Sequence, residues 1–387
     1  MPDAPDTFTR FRATRHFASL DGLRCLSIIP VVWHHSNPVL PAGVLGKGTF
    51  GVDLFFAISG FLITTLLLRE KSSRGQVSLR AFYMRRSLRI FPVYYAVLGL
   101  FCLHAWLIAP DGPQRDHFFQ SLIYHATYTT NWLVDFSVAH PVTFAFAWSL
   151  ACEEQFYLTW PWAIRLTKKA WIPALIVGGA LLVDQAAERV WLSALLPPGS
   201  LRLHIVYSLA TPICLGCLAA LALHHRNWFL VVERILGWRL SAPAVLLLLG
   251  YVVSRNDLSN FTVHVVLALL VVACCIRPDH GLAWLLNQPA LAHVGKVSYG
   301  IYLLHVMVIG MWRRVVPQPD ERVLWVFGLA LLGSVAVATL SHRYFEAPFL
   351  RLKDRFRPRT KASTDPPPMT HSPAGSALVP AGQHSNG

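Results

Sequence analysis

The sequence predicts an all-α, polytopic membrane protein of about ten transmembrane helices with both termini in the cytoplasm. Three observations carry that expectation. Of 387 residues, 54% are hydrophobic and only 14% charged, against about 25% charged in soluble domains, so there is too little charge to cover a water-facing surface. The apolar residues fall in runs of roughly 15 to 20, enough to cross a hydrocarbon core about 30 Å thick at about 1.5 Å per helical residue. The connecting segments divide the basic residues unequally between the two sides, as the positive-inside bias requires.

Apolar runs bounded by charged breaks place the membrane segments at 20–33, 51–68, 90–109, 142–164, 170–183, 203–223, 240–253, 261–276, 297–311 and 323–340. Several are short or contain proline, so tilted or broken spans are expected among them. The stretch 118–132 is apolar enough for an interfacial or re-entrant helix. An even number of crossings puts both ends on one side. The segments sharing that side hold 25 Lys and Arg and the opposite loops hold 8, with Arg24 inside the first helix completing the 34. That imbalance assigns the ends to the cytoplasm.

Domain organisation follows: a cytoplasmic N-terminal segment over 1–19, a membrane domain over 20–352 and a tail over 353–387. Beyond Lys361 the tail turns to Pro, Ser, Thr, Gly and Ala and is expected to be disordered. No secretory signal peptide is expected at the N-terminus. No internal repeat is visible, which counts against a transporter built from paired halves.

A net charge of +14 and a pI of about 9.8 would suggest nucleic acid as the partner of a soluble protein. Here the basic residues sit at the ends of apolar runs, where orientation and contact with anionic lipids account for them. Membrane lipids are therefore expected as partners and nucleic acid is not. All seven cysteines lie in apolar runs, so no disulfide framework is expected. Cys214 and Cys217 have CxxC spacing, but no second ligand pair matches them, so no metal is expected.

Ionisable residues inside membrane segments cost about 3 kcal/mol each to insert, which makes them candidates for function. The first helix, LDGLRCLSIIPVVWHH, carries Asp21, Arg24, His34 and His35. Arg24 and His35 are eleven residues apart, close to three turns, and share a face about 16 Å apart along the axis. A neutral imidazole there can accept a proton from a hydroxyl. Asp53 opens the second helix and either caps it or takes part in chemistry. Arg86 and Arg89, at i and i+3, form a candidate anion clamp where the third segment begins; lipid phosphate is the competing ligand. Glu153 and Glu154 point about 100° apart on the fourth helix, so one of them is expected to face a cavity, orienting an imidazole or an arginine, unless it serves a buried structural ion pair.

Six pieces, in order, make the chain resemble the acyltransferase-3 family of integral-membrane acyltransferases. They are LDGLR at 20–24 followed by His35, GVDLFFAISGFLIT at 51–64, RRSLRIFP at 85–92, WSLACEEQFYLTWP at 148–161, VGKVSYGIYLLH at 294–305 and YFEAPFLRL at 344–352. The resemblance implies a ten-helix domain that passes an acyl group, most often acetyl, from cytoplasmic acyl-CoA to a hydroxyl of a carbohydrate or glycosylated acceptor. His35 matches the family's essential histidine and Arg24 the arginine before it. Arg86 and Arg89 match the pair thought to hold CoA phosphate, and Glu153 matches the acidic residue of the WSL motif. Cys152 stands where a small or aliphatic residue usually precedes that Glu.

Carried over, the resemblance makes His35, Glu153 and Asp53 the catalytic candidates. It makes Arg24, Arg86 and Arg89 the acetyl-CoA-binding ones, with no metal. The expected acceptor is a cell-surface polysaccharide or its lipid-linked precursor, and the expected location is the inner membrane. A glycosylated small molecule such as a macrolide is an alternative acceptor. Some family members carry an extracellular hydrolase-like domain after the membrane part; none is expected within these residues, so acceptor handling falls to the membrane domain or a separate partner. A different class, a transporter with Arg24, His35, Asp53 and Glu153 along a proton or solute path, also fits intramembrane charge, but does not require the arginine pair or the ordered motifs.

Overall fold

The computed structural model describes residues 6–36, 46–134 and 144–356, apart from 170, 190 and 193. The tail beyond 356, expected to be disordered, lies outside the described residues. Regular structure among the described residues is helical throughout. In order come α1 (Thr7–Ala13), α2 (Ala18–Ser36), α3 (Phe50–Arg74), α4 (Leu79–Leu107), α5 (Pro113–Ala126), α6 (Thr130–Leu133), α7 (Trp148–Leu166), α8 (Trp171–Glu188) and α9 (Leu201–Tyr207). They are followed by α10 (Thr211–His224), α11 (Arg226–Leu236), α12 (Ser241–Ser254), α13 (Asn260–Ile276), α14 (Ala283–Leu286), α15 (Pro289–Val315), α16 (Val323–Leu340) and α17 (Ala347–Asp354). A π-helical segment, Ser341–Glu346, joins the last two.

Each of the ten expected segments carries helix, but length and composition qualify a smaller set to cross a bilayer. Among the described residues six helices do so, or seven if α11 and α12, bent by 73°, count as one span. That number of spans makes the chain a multi-pass membrane protein. Helices α2 and α7 fall outside the apolar set because they carry Asp21, Arg24, His34 and His35, and Glu153, Glu154 and Arg165. Burial makes that polarity tolerable: α2 is packed by α3, α13, α14, α15 and α16, so its charges face protein and cavity instead of lipid.

Several boundaries differ from the sequence reading, and three of them have a clear local reason. Helix α4 starts at Leu79, capped by Ser78 Oγ accepting from Ala81 N at 3.4 Å. The helix therefore runs through the whole basic run ahead of the apolar segment, arginine being a good helix former. Helix α7 starts at Trp148 after a short 3₁₀ turn, Ala145–Ala147, six residues later than expected. The run at 203–223 is split into α9 and α10 by Ala210, whose φ of 45° no helix accommodates. The apolar stretch at 118–132 forms the short helices α5 and α6.

Small residues set the closest crossings. Helices α3 and α10 pack through Gly60 and Gly216: a methyl group on either would run into the carbonyl oxygen of Ile213 or Ala57 on the other helix, the close backbone approach that membrane interfaces favour. Helices α2 and α15 are similarly close, because Gly295 lies against the carbonyl of Asp21. That second crossing brings the two helices bearing His35 and His305 together. Helix α1 packs onto α11, with Phe8 and Phe11 against Phe229 at 5.2 and 5.4 Å between ring centres.

Candidate functional site

Two cavities among the described residues bear on the candidate residues. The larger, about 670 Å³, is framed by α2, α3, α4, α7, α15 and the π-helical segment. Seven Lys and Arg line it against four Asp and Glu, so it holds an excess of positive charge, which favours anionic ligands.

The arginines in this cavity are not equivalent. Arg85 is committed to structure: its Nη2 lies 3.4 Å from Glu70 Oε2 and its Nη1 donates to the Phe356 carbonyl at 2.9 Å. Arg24 Nη1 lies 3.2 Å from Asp21 Oδ1 one turn away. Arg86 rests on aromatic faces, its guanidinium carbon 5.8 Å from the Phe82 ring centre and 5.2 Å from that of Tyr157. Neither Arg86 nor Arg89 has a carboxylate at ion-pair distance among the described residues. Their helical i, i+3 placement leaves two guanidinium groups facing one cavity with their donors available.

Glu153 faces the same cavity. Its Oε1 accepts hydrogen bonds from the hydroxyls of Ser59 and Tyr157. Glu154 does not line the cavity. Of the adjacent pair, Glu153 is therefore the one placed among the arginines. Further residues bring polar groups that the sequence reading did not single out. Glu346, held by Ser341 Oγ at 3.2 Å, reaches the cavity from the π-helical segment, and π-segments recur at functional sites. Tyr299 and Tyr302 reach it from α15.

His35 does not line the arginine cavity. It lies at the far end of α2 and opens onto the second cavity, about 400 Å³, together with Asn131, Phe146, Trp148, Cys152, His204, Tyr207 and Ser208. This cavity combines aromatic walls with hydrogen-bonding groups: Asn131 Nδ2 donates to Ser208 Oγ at 2.7 Å and to Gln155 Oε1 at 3.1 Å.

A thin layer of side chains separates the two cavities. Ser149 and Tyr302 line the first and Phe146 the second. Ser149 Oγ and Tyr302 OH are 2.5 Å apart, and Tyr302 OH donates to the Phe146 carbonyl at 2.9 Å. Behind them lies His305, fully buried, with its Nε2 3.2 Å from His35 Nδ1. The sequence reading passed over His305 although it closes the VGKVSYGIYLLH run. The spacing of Tyr299, Tyr302 and His305, three apart on one helix, is the signal that places them on a common face.

Asp53 stands apart. The residue at the cap position of α3 is Thr49, so Asp53 does not cap the helix. Its Oδ2 instead lies 3.3 Å from His264 Nε2, and it lines neither cavity. Among the described residues no group of three or more His, Cys, Asp and Glu is arranged to hold a metal ion.

The chain is 27% identical over 373 residues to the peptidoglycan O-acetyltransferase OatA of Listeria monocytogenes, covering 88% of this chain and 56% of that one. A Staphylococcus aureus protein provisionally named an O-acetyltransferase is 28% identical over 369 residues, 88% of this chain and 58% of its own. YrhL of Bacillus subtilis, provisionally named a peptidoglycan O-acetyltransferase, is 29% identical over 366 residues, 86% and 55% respectively. The chain thus spans little more than half the length of these relatives. No solved structure matches it. The family model described as an acyltransferase domain matches residues 17–343, which hold nearly all of the helical bundle and most of the residues lining the two cavities, and the chain belongs to that acyltransferase-3 family.

Proposed function

We propose that this protein is an O-acetyltransferase of the inner membrane that moves an acetyl group from acetyl-CoA to a hydroxyl of a cell-wall or cell-surface carbohydrate. One observation carries the reading: an arginine-rich cavity and a histidine-bearing cavity lie back to back, divided by a layer of a few side chains. In this reading the phosphates of the donor sit on Arg86 and Arg89, with Arg24 deeper and Glu153 holding the tyrosine and serine around them. The arginine end of the bundle, which also carries Arg15 and Lys353 near the two ends of the membrane domain, faces the cytoplasm. The acceptor occupies the second cavity, where Trp148 and Tyr207 offer faces to a sugar ring and Asn131 and Ser208 offer hydrogen bonds.

The chemistry asked of His35 is general-base catalysis. The acceptor oxygen attacks the thioester carbonyl carbon, a C–O bond forms, the C–S bond breaks, and the proton taken up by the imidazole is returned to the departing thiolate. Such a base contributes about 10²- to 10⁴-fold. His35→Ala is expected to abolish transfer of radiolabelled acetyl from acetyl-CoA to peptidoglycan or polysaccharide fragments, in protein that still elutes as a folded species. Normal transfer by that variant removes His35 from the reaction, and transfer only to a glycosylated small molecule replaces the acceptor class.

The separation of the cavities favours a second version in which His35 carries the acetyl group itself, so that donor and acceptor need not meet. Incubation with labelled acetyl-CoA and no acceptor then yields labelled protein, and His35→Ala does not become labelled.

A further inference from the structure

We propose that His305 is a positioning residue that holds the proton of His35 on Nδ1 and so leaves His35 Nε2 as the basic atom for the second cavity. The inference rests on His35 being the acetyl-transfer base and adds the device that sets its tautomer.

The argument is one of donors and acceptors. His305 Nδ1 lies 2.6 Å from the carbonyl oxygen of Tyr302, one turn back on its own helix. A carbonyl oxygen only accepts, so Nδ1 of His305 carries a proton. In the neutral ring its Nε2 is then a lone pair. That lone pair lies 3.2 Å from His35 Nδ1, which in turn lies 3.0 Å from the carbonyl oxygen of Val31. Both neighbours of His35 Nδ1 are acceptors, so His35 Nδ1 is the donor to both and Nε2 is left without a proton.

The opposite arrangement fails on two counts. A proton on His305 Nε2 aimed at His35 would require His305 to be an imidazolium. Its ring is fully buried against Phe146 at 5.4 Å, Tyr302 at 5.7 Å and His35 at 4.8 Å between centres, and no carboxylate pairs with it among the described residues. An unpaired buried charge is disfavoured. It would also strip His35 Nδ1 of its proton and leave the Val31 carbonyl opposed to a lone pair. A histidine held by one partner so that its other nitrogen does the chemistry is a familiar device. What is unusual here is that the partner is a second imidazole, whose own tautomer is imposed by the helix backbone.

The test uses full-length protein in lipid nanodiscs with ¹⁵N-labelled histidine, the His35 signals being identified by their loss in His35→Gln. Two-bond ¹H–¹⁵N spectra report which ring nitrogen is protonated, independently of any activity, and so remain decisive even if the acetyl-transfer reading fails. The expected wild-type spectrum has His35 protonated on Nδ1. In His305→Phe, which keeps an aromatic ring in place and removes the acceptor, the Nε2-protonated form grows. The rate of acetyl transfer falls about 10- to 100-fold at unchanged KM for acetyl-CoA, the Val31 carbonyl still favouring the right tautomer in part. His305→Gln, whose amide oxygen can accept at the same reach, restores most of the lost rate. A His35 protonated on Nε2 in the wild type overturns the proposal, as does a rate loss in His305→Phe without a change of tautomer, or a change of tautomer without a rate loss. If His305→Phe does not fold, the wild-type spectrum and the His305→Gln rate decide alone: a rate collapse in His305→Gln with the tautomer intact overturns it.

Discussion

Arg85, Arg86 and Arg89 occur within five residues of one another, yet the structure gives them different work. Arg85 neutralises Glu70, whereas Arg86 and Arg89 face the cavity without a carboxylate partner among the described residues. Charge-assisted bonds to phosphate are worth about 1.5–3 kcal/mol each. Arg86→Ala and Arg89→Ala are therefore each expected to raise KM for acetyl-CoA about 10- to 100-fold with little change in kcat, and steady-state kinetics in nanodiscs will show it. Arg85→Ala is expected to leave that KM near the wild-type value and to lower the melting temperature instead, because Glu70 is left unpaired at 9% exposure. Equal effects of all three on KM would contradict the division. The candidates legible in the sequence were those whose charge is costly in a membrane: Arg24, Arg86, Arg89 and Glu153 stand out for that reason and do meet at one cavity. His305 did not stand out, because a single histidine in an apolar helix looks like any buried polar residue until its neighbour on α2 is known. Asp53 stood out for its charge and proved to face His264, since its helix is rotated to turn it from both cavities.

At the level of elements, the crossing of α3 and α10 leaves no room for a side chain at Gly60 or Gly216. Gly216→Val forces the Ala57 carbonyl away and is expected to cost about 1–3 kcal/mol or more through overpacking, read as a lower melting temperature in detergent. An unchanged melting temperature would mean that the helices separate without loss. The start of α2 is held differently. His280, in the loop before α14 and 2% exposed, lies with its Nε2 2.9 Å from Ser19 Oγ, which donates to Asn287 Oδ1 at 3.0 Å. Burial holds the His280 imidazole below the ordinary histidine value, against the opposing charge of Asp279. Its folded pKa being lower than its unfolded value of about 6.5, its contribution to stability is present above that pH and is lost as the pH falls below it. The fall in melting temperature between about pH 7.5 and about pH 5.5 is thus expected to be smaller in His280→Gln than in the wild type, and an equal fall counts against the linkage. Element positions were readable from apolar runs, but not all their ends: α4 begins at Leu79, ahead of the apolar run at 90–109, and α9 and α10 part at one residue of positive φ.

For the whole molecule, the unequal division of basic residues between loops makes a prediction about sidedness that the helical bundle leaves open. A C-terminal fusion to a fluorescent protein that folds only in the cytoplasm is expected to fluoresce, while a fusion to an alkaline phosphatase that needs an oxidising compartment is expected to be inactive. The opposite pattern would turn the arginine cavity away from cytoplasmic acyl-CoA and remove the proposed donor. Membrane character, helical class, family and the identity of the costly intramembrane charges were determined by the sequence alone, because hydropathy, periodicity and ordered motifs are local properties of the chain. The tertiary structure alone decided that the charges separate into an arginine cavity and a histidine cavity, that Arg85 is paired while Arg86 and Arg89 face the open space, and that two imidazoles from helices 270 residues apart in sequence share a hydrogen bond. Those facts depend on how helices rotate and cross, which glycine contacts and buried polar pairing settle only once the whole bundle is assembled.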